Sequence, residues 1–411
     1  MRTPRAAATE HEPAGQGPAP HEPATPEPAT PEAAAHEPAT HAPTTPEPTT
    51  PGPTPQGVTG DDPLGERAHR RRAAAWTGAL AVALGVTLVV ACCTGPVAVE
   101  PATVLGVLRA HLTGGGTGAW SASDATIVWD VRLPRVVLGA AAGAGLAVAG
   151  AALQAVVRNL LADPYVLGLS GGASTGAAAT ILFGLGAGLG AAALPVAAFA
   201  GAFAASVLVV AVARAGGRVT TLRLLLAGVA VGYALSAATS VLIFLSDSAE
   251  GSRSVMFWQL GSLSLARRDG LLALAVLVVV GAVVLLVAWG RRLDLMAAGD
   301  ATALALGLEP GRVRLQVLAV ASLTTGVVVA ASGAIGFVGL VVPHLARRLV
   351  GAVHRRMLPV AALAGAVLLV WADVLARTVL APREMPIGVI TAVVGAPFLL
   401  VLVRRLHAPA A

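Results

Sequence analysis

The sequence predicts an all-α, polytopic membrane protein, and three observations support this prediction. The chain has 411 residues, of which 55% are hydrophobic and 12% are charged, whereas about a quarter of the residues in a soluble domain are charged. The mean hydropathy is +0.76. The apolar residues form runs of roughly 20, the length that a helix needs to cross a bilayer, and we predict about ten such spans.

The apolar runs are separated by polar connections. They lie near 74–94, 135–157, 165–188, 194–213, 224–245, 270–289, 315–331, 334–348, 359–379 and 387–403. If the N-terminus is cytoplasmic, 20 arginines face the cytoplasm and 8 face outside, which is the asymmetry of the positive-inside rule. We therefore expect a multi-pass protein of the cytoplasmic (inner or plasma) membrane with both termini in the cytoplasm.

The first part of the chain has a different composition. It contains an imperfect Glu-Pro-Ala-Thr repeat, for example HEPATPEPAT at 21–30. Such a segment cannot bury enough apolar surface to offset the entropy lost on ordering. We predict a disordered, cytoplasmic Pro/Glu/Thr/Ala-rich tail at 1–69 and a transmembrane domain at 70–407.

The composition excludes several classes of function. The chain contains no lysine, and an ordinary Walker A loop requires one to contact the phosphates. The net charge of +6 therefore comes from arginine, and we attribute it to membrane orientation and expect no nucleic-acid binding. Cys92 and Cys93 are adjacent in an apolar run and predict neither a disulfide nor a metal site. No HExxH motif is present, and we expect no enzyme.

Polar residues at the second predicted span indicate a turn and two helix contacts. The stretch RNLLADP (158–164) contains charged and turn-forming residues and predicts the cytoplasmic turn to the third span. Gly139 and Gly143 form a GxxxG pattern, which is typical of close helix packing in membranes. We expect Gln154, near the end of this span, to hydrogen-bond between helices.

Three further patterns are candidates for function. Ser236, Thr239 and Ser240 share one helix face, where they either cap one another and the backbone or line a pathway. The segment 291–314 contains a short apolar helix pattern that lies on the membrane surface or docks into a groove on a soluble partner. Asp373 and Arg377 lie at i and i+4, so they can pair within the ninth span.

Five motifs resemble one known family. They are RLPR (132–135), LGAAAGAGLAVAGAALQAVVRNLLADPYVLGLSGGAS (138–174), GDATALALGL (299–308), GAIGFVGLVVPHLARRLVG (333–351) and AD…AR…EMPIGVITAVVGAPFLL (372–400). In order and spacing they are similar to the FecCD-type permeases of ABC importers for ferric siderophores, haem and cobalamin. The resemblance covers about residues 70–405. Leu160 departs from the family pattern, which usually has proline there.

The resemblance implies a permease subunit that binds no cofactor and carries out no ATP hydrolysis. It implies ten membrane helices in a dimer with a second permease subunit, identical or paralogous, surrounded by membrane lipid. It further implies two ABC ATPase subunits, which use the ATP, and an extracytoplasmic substrate-binding protein. The cargo expected from the resemblance is a ferric siderophore, with cobalamin or haem as alternatives.

The resemblance also assigns roles to individual positions. Docking of the binding protein is assigned to Arg132, Arg135 and Arg377. The cytoplasmic gate is assigned to Asn159 and Leu161, and the lining of the pathway to Ser236, Thr239 and Ser240. Coupling to the ATPase within 291–314 is assigned to Met296, Gly299, Asp300, Ala303, Leu306 and Gly307.

A proton-coupled secondary transporter is a less favoured alternative. Such a transporter needs carboxylates near the middle of the membrane. Asp373 is the one candidate, and it has a partner four residues away.

Overall fold

The computed structural model describes residues 66–406 except 116–117, 119, 216 and 218–219. The predicted tail therefore lies, up to residue 65, outside the described residues. The described part is built from helices: α1 Glu66–Cys93, α2 Pro101–Thr113, α3 Ala122–Thr126, α4 Leu133–Val157, α5 Leu169–Phe183, α6 Ala193–Ala215, α7 Thr221–Phe244, α8 Ala249–Gln259, α9 Gly270–Ala288, α10 Gly290–Ala298, α11 Asp300–Ala305, α12 Pro310–Ser332, α13 Val338–Val350, α14 His354–Thr378 and α15 Ile387–Leu406. A π-helix, Ile127–Arg132, joins α3 to α4.

Seven helical stretches in the described residues are long and apolar enough to cross a membrane, which makes this a multi-pass membrane protein. They are Glu66–Cys93, Ala122–Val157, Ala187–Ala215, Thr221–Phe244, Gly270–Ala288, Pro310–Ser332 and His354–Thr378.

The predicted count of about ten spans is not confirmed, because three predicted spans form shorter apolar helices. The spans 165–188 and 334–348 became α5 and α13, with 15 and 13 residues, and α15 contributes the apolar stretch Ile387–Leu402. Residues with positive φ bound both shortened helices: α13 begins after Phe337, with φ 69°, and ends at Gly351, with φ 84°. Gly168 and Gly184, at the two ends of α5, adopt left-handed backbone angles that a helix does not continue through.

Helix α4 lies at the centre of the fold, packed against α14, α12, α9 and α13. It is buried along nearly its whole length. A methyl group on Gly143 would overlap the carbonyl oxygen of Gly365 in α14, and one on Gly150 would overlap that of Gly339 in α13. The predicted small-residue contact at Gly143 is therefore confirmed. Glycine allows the helix backbones to approach closely.

A second group of helices packs around α5. Gly172 of α5 and Gly201 of α6 each lie against the other's carbonyl oxygen, too close for a side chain on either. Helix α7 also packs on α5, but much of its surface, including Tyr233 and Phe244, is exposed. This arrangement leaves an open space beside α5 and α7.

The α4–α5 turn (residues 158–163) forms where the sequence predicts it. Helix α4 ends at Val157, and Arg158 adopts a left-handed conformation with φ 53°. The carboxylate of Asp163 accepts a hydrogen bond of 2.9 Å from the backbone N of Tyr165. This contact caps a short 3-10 helix that begins at Pro164.

Candidate functional site

A cavity of about 640 Å³ lies between α5, α7 and α8. Its described lining contains no formally charged side chain: Tyr165, Gly168, Ser170, Gly171, Ser174, Gly228, Val229, Gly232, Tyr233, Ser236, Thr239, Ser240, Ile243, Met256, Gln259 and Ala334. The sequence-predicted hydroxyl group of Ser236, Thr239 and Ser240 is thus brought to one cavity. The lining offers hydroxyls, one amide and glycine backbone to a ligand.

The predicted hydroxyl cluster bonds to the backbone and also lines the cavity, and its role in lining a pathway stays a prediction. The Thr239 hydroxyl donates to the Leu235 carbonyl at 3.0 Å and lies 2.9 Å from the Thr175 hydroxyl. The Ser240 hydroxyl donates to the Ser236 carbonyl at 3.1 Å. Ser236 and Ser240 remain exposed, whereas Thr239 is buried. The hydroxyls therefore satisfy the backbone and line the cavity at the same time.

Tyr165 connects the cavity to the rest of the fold. Its phenolic oxygen accepts a hydrogen bond of 2.9 Å from the backbone N of Ile335, in the connection between α12 and α13. Tyr165 follows the α4–α5 turn directly, so this contact fixes the wall of the cavity relative to the turn.

The two residues assigned to a gate lie in the α4–α5 turn. The Asn159 side-chain oxygen accepts a hydrogen bond of 2.9 Å from the backbone N of Leu161, which is an Asx-type turn. Leu160 and Leu161 are both exposed. The turn thus presents two apolar side chains on a backbone that Asn159 stabilises. Their gate role stays a prediction.

Gln154 confirms the expectation of an interhelical hydrogen bond. Its amide nitrogen donates to the carbonyls of Gly339 at 3.2 Å and of Ala162 at 3.3 Å. Its side-chain oxygen accepts from Arg347 Nη1 at 2.7 Å. Buried Gln154 therefore holds α4, α13 and the α4–α5 turn together.

The six residues assigned to coupling lie on α10 and α11 and at their ends. Met296 and Ala303 are fully buried and attach the two short helices to the body of the protein. Gly299 and Gly307 adopt positive φ values of 124° and 81°, which suit glycine at the breaks between helices. Leu306 is 62% exposed, so it presents an apolar side chain to the surroundings. The coupling role of this group stays a prediction.

Asp300, the charged residue among the six assigned to coupling, forms ion pairs. Its carboxylate lies 3.0 Å from Arg314 Nη2 and 3.9 Å from Arg158 Nη2. Arg314 is buried. The sequence did not identify Arg314 as a functional residue. Its only distinguishing feature in the sequence is that it is an arginine near the start of an apolar helix.

The three arginines assigned to docking are buried within this chain, and their docking role stays a prediction. Arg132 donates from Nη1 to the carbonyls of Cys92 at 2.7 Å and of Cys93 at 3.1 Å, and it also contacts the Val97 carbonyl. Arg377 Nη2 donates to the Ala91 carbonyl at 2.6 Å. The last carbonyls of a helix lack partners within it and carry a partial negative charge, and these two arginines supply that partner.

Arg135 forms the other half of this cluster. Its guanidinium contacts Asp373 at 2.8 Å and Glu384 at 3.0 Å, and Arg377 Nε lies 3.4 Å from Asp373. The predicted Asp373–Arg377 pair is confirmed. The links to Glu384 and Arg135 were missed, because Arg135 and Asp373 are 238 positions apart.

Comparison with known proteins supports the resemblance drawn from the motifs. The FecCD transport family matches residues 83–405. The cobalamin import system permease protein BtuC of Halobacterium salinarum is 41% identical over 81% of this chain and 96% of its own length. The hemin transport system permease protein HmuU of Yersinia pestis is 40% identical over 70% of this chain and 86% of its own. The ferric enterobactin transport system permease protein FepD of Escherichia coli is 41% identical over 70% and 85%.

A solved structure shares the fold. It is an ABC transporter of the metal-chelate type in an inward-facing conformation, with 29% identity and a TM-score of 0.69 over 80% of this chain and 98% of that chain. The apolar helix bundle is thus that of a membrane transport permease. The chain belongs to the FecCD transport family and is a permease of the ABC importer type.

Proposed function

We propose that this chain is the permease subunit of a binding-protein-dependent importer that takes up ferric siderophores. The observation that carries the proposal is the 640 Å³ cavity lined by hydroxyls, an amide and glycine. Oxygen-rich iron chelates offer many hydrogen-bond acceptors to such a lining. The relatives include a ferric enterobactin permease, which supports this cargo.

The same architecture also suits cobalamin or haem. The relatives named for cobalamin and for hemin are as similar to this chain as the one named for enterobactin. Both ligands are therefore competitors in the uptake experiment below.

The mechanism we propose is alternating access. A binding protein delivers the ligand from outside, and the ligand passes through the cavity beside α7. Separate ATPase subunits contact the α10–α11 region and drive the change of state. The permease contributes two conformations that ATP and the docked protein stabilise differently.

We propose that the chain crosses the cytoplasmic (inner or plasma) membrane ten times, with both termini in the cytoplasm. Seven passes are the long helices, and α5, α13 and α15 complete the set. A 15-residue helix is about 22 Å long, shorter than the hydrocarbon core of about 30 Å. Burial of its ends among neighbouring helices, as for Leu169, accommodates this difference. Reporter fusions after Leu160 and Leu265 test the orientation, because the proposed topology puts these two residues on opposite sides of the membrane.

The deciding experiment is uptake of a radioiron-loaded siderophore, purified from the medium of the iron-starved source strain, by cells with and without the chain. We expect deletion to abolish uptake and the wild-type gene to restore it. Unlabelled cobalamin and haem are the competitors. If iron uptake is unchanged and cobalamin or haem uptake is lost, the cargo assignment is wrong and the importer assignment holds.

A pair of α7 variants tests the cavity. Ser236→Phe fills the cavity and is expected to reduce uptake by about tenfold or more, the scale of a lost 1.4 kcal/mol interaction. Val241→Phe is the matched control, because Val241 is exposed on the same helix outside the cavity lining. Equal uptake by the two variants at equal membrane expression would remove the cavity from the proposed path.

A further inference from the structure

Arg314 is a buried cation at the start of α12. Only 2% of its surface is exposed, and it is among the largest fully buried side chains in the described residues. An unpaired buried charge is costly, whereas a buried charge with good partners is tolerated. The groups that compensate the charge of Arg314 are therefore the ones that hold it in this position.

Two different helices supply partners of Arg314. Nη2 donates to both carboxylate oxygens of Asp300, at 3.0 and 3.2 Å, and Asp300 is the first residue of α11. Nε donates to the Val156 carbonyl at 3.4 Å, in the last turn of α4. The carbonyls of this turn carry the negative end of the α4 dipole, so they attract the guanidinium.

The α4–α5 turn begins directly after this contact. Arg158, the second residue after Val156, lies 3.9 Å from Asp300 and caps α4 with a left-handed backbone. The Asp300–Arg158 pair is exposed on both sides, so it contributes little. The buried Arg314 contact is the stronger of the two links between Asp300 and the end of α4.

We propose that Arg314 is a positioning residue that transmits a displacement of α10 and α11 to the α4–α5 turn. The guanidinium is planar and holds the carboxylate with two hydrogen bonds in a fixed geometry. A shift of Asp300 therefore moves Arg314, and Arg314 pulls on the end of α4 that carries the turn. This inference rests on the proposed import function, in which ATPase subunits contact α10 and α11.

The test uses the full chain with the ATPase that co-purifies with it, in lipid nanodiscs. Cys92 and Cys93 are replaced by serine, and Leu160→Cys places a thiol in the α4–α5 turn, where Leu160 is 42% exposed. The rate of maleimide labelling is measured with and without trapping by ATP and vanadate. We expect trapping to change the rate by about threefold or more in the otherwise unaltered chain.

Arg314→Gln is expected to abolish this response. Arg312→Gln is the matched control, because Arg312 is on the same helix, 80% exposed, and pairs with Glu309. A thiol at Leu306, introduced as Leu306→Cys, reports on contact with the ATPase. We expect its labelling to stay sensitive to trapping in both variants, because the ATPase still binds.

Asp300→Asn provides a second variant if Arg314→Gln does not assemble. Asp300 is partly exposed, so its replacement is compatible with folding, and it removes the same ion pair. A preserved response at Leu160 in Arg314→Gln and Asp300→Asn overturns the proposal, and so does the absence of any response in the unaltered chain. If the response behaves as expected but the cells import none of the three ligands, the proposed function fails and the role of Arg314 stands.

Discussion

Arg135 donates hydrogen bonds from Nε to both carboxylate oxygens of Asp373, at 2.8 and 3.1 Å, across the contact between α4 and α14. Both residues are buried. Arg377 approaches the same carboxylate at 3.4 Å. The Asp373 carboxylate is thus shared by two guanidinium groups, and Arg135 has Glu384 as a second carboxylate partner. Arg377 also ties the end of α1 to the bundle.

Loss of the Asp373 carboxylate is expected to destabilise the protein strongly. Asp373→Asn leaves two buried arginines without their shared counterion, which costs about 3–5 kcal/mol. Asp130→Asn is the matched change at an exposed pair with Arg268 and is expected to cost less than about 1 kcal/mol. Thermal unfolding in detergent measures both. Similar melting temperatures for the two variants would contradict a structural role for the buried cluster.

The close approach of α4 and α14 predicts a second stability difference. Gly143→Ala forces a methyl group against the Gly365 carbonyl, and we expect a loss of about 1–3 kcal/mol from the resulting backbone shift. Gly281→Ala is the control, because a methyl group there meets no neighbouring atom. It is expected to stabilise α9 by up to about 1 kcal/mol. Opposite signs of the two changes in melting temperature are the expected result.

The α4–α5 turn is expected to make stability depend on pH. Burial raises the pKa of Asp163 from its ordinary value to about 6, although a hydrogen bond from the Tyr165 backbone opposes this shift. The pKa is higher in the folded than in the unfolded state, so the folded state binds the proton more tightly. The free energy of unfolding therefore falls as the pH rises from about 4 to about 6.

The Asn variant of this residue isolates the effect. Asp163→Asn keeps an oxygen that accepts the Tyr165 hydrogen bond but removes the titrating group. Its melting temperature is expected to fall less than that of the wild type between pH 4 and pH 7. Asp247→Asn, at an exposed site, serves as the control and is expected to follow the wild type. Parallel curves for wild type and Asp163→Asn would contradict the assignment.

The contact between α10 and α14 predicts a further effect. Asp294 accepts hydrogen bonds from the backbone N and from Nδ1 of His354, at 3.0 and 2.6 Å. Asp294→Ala leaves two donors of a buried residue without an acceptor, which costs about 1–3 kcal/mol. Glu309→Ala removes only an exposed i,i+3 pair and is expected to cost less than about 0.5 kcal/mol. The rate of limited proteolysis between α9 and α12 measures local unfolding of α10. We expect this rate to rise in Asp294→Ala and not in Glu309→Ala.

Features set by neighbouring residues could be predicted from the sequence. The turn at Asp163 and Pro164 formed as expected, because its signals are local. The face shared by Ser236, Thr239 and Ser240 also formed, because helical spacing alone defines it. The count of about ten spans was not confirmed, because glycines at the ends of α5 shorten a run that composition alone makes long enough.

Contacts between distant parts of the chain could not be predicted. The positive-inside count placed Arg135 and Arg377 on the outer side of the membrane, and the resemblance assigned them to docking, but neither showed that their side chains are buried. Helical spacing identified Asp373 as a partner of Arg377. The contacts of Arg135 with Asp373 and Glu384, and of Arg377 with the Ala91 carbonyl, join distant positions that no periodicity or spacing identifies.

The sequence by itself determined a multi-pass helical protein, the α4–α5 turn and, through its motifs, the FecCD family, because hydropathy, turn chemistry and motif order are properties of the linear chain. The tertiary structure alone decided that the three predicted docking arginines are buried, that the α7 hydroxyls share a cavity with α5 and α8, and that Arg314 joins Asp300 to the end of α4. The physical reason is that a charged or polar side chain in an apolar bundle is stable only beside a suitable partner, and packing brings that partner from elsewhere in the chain.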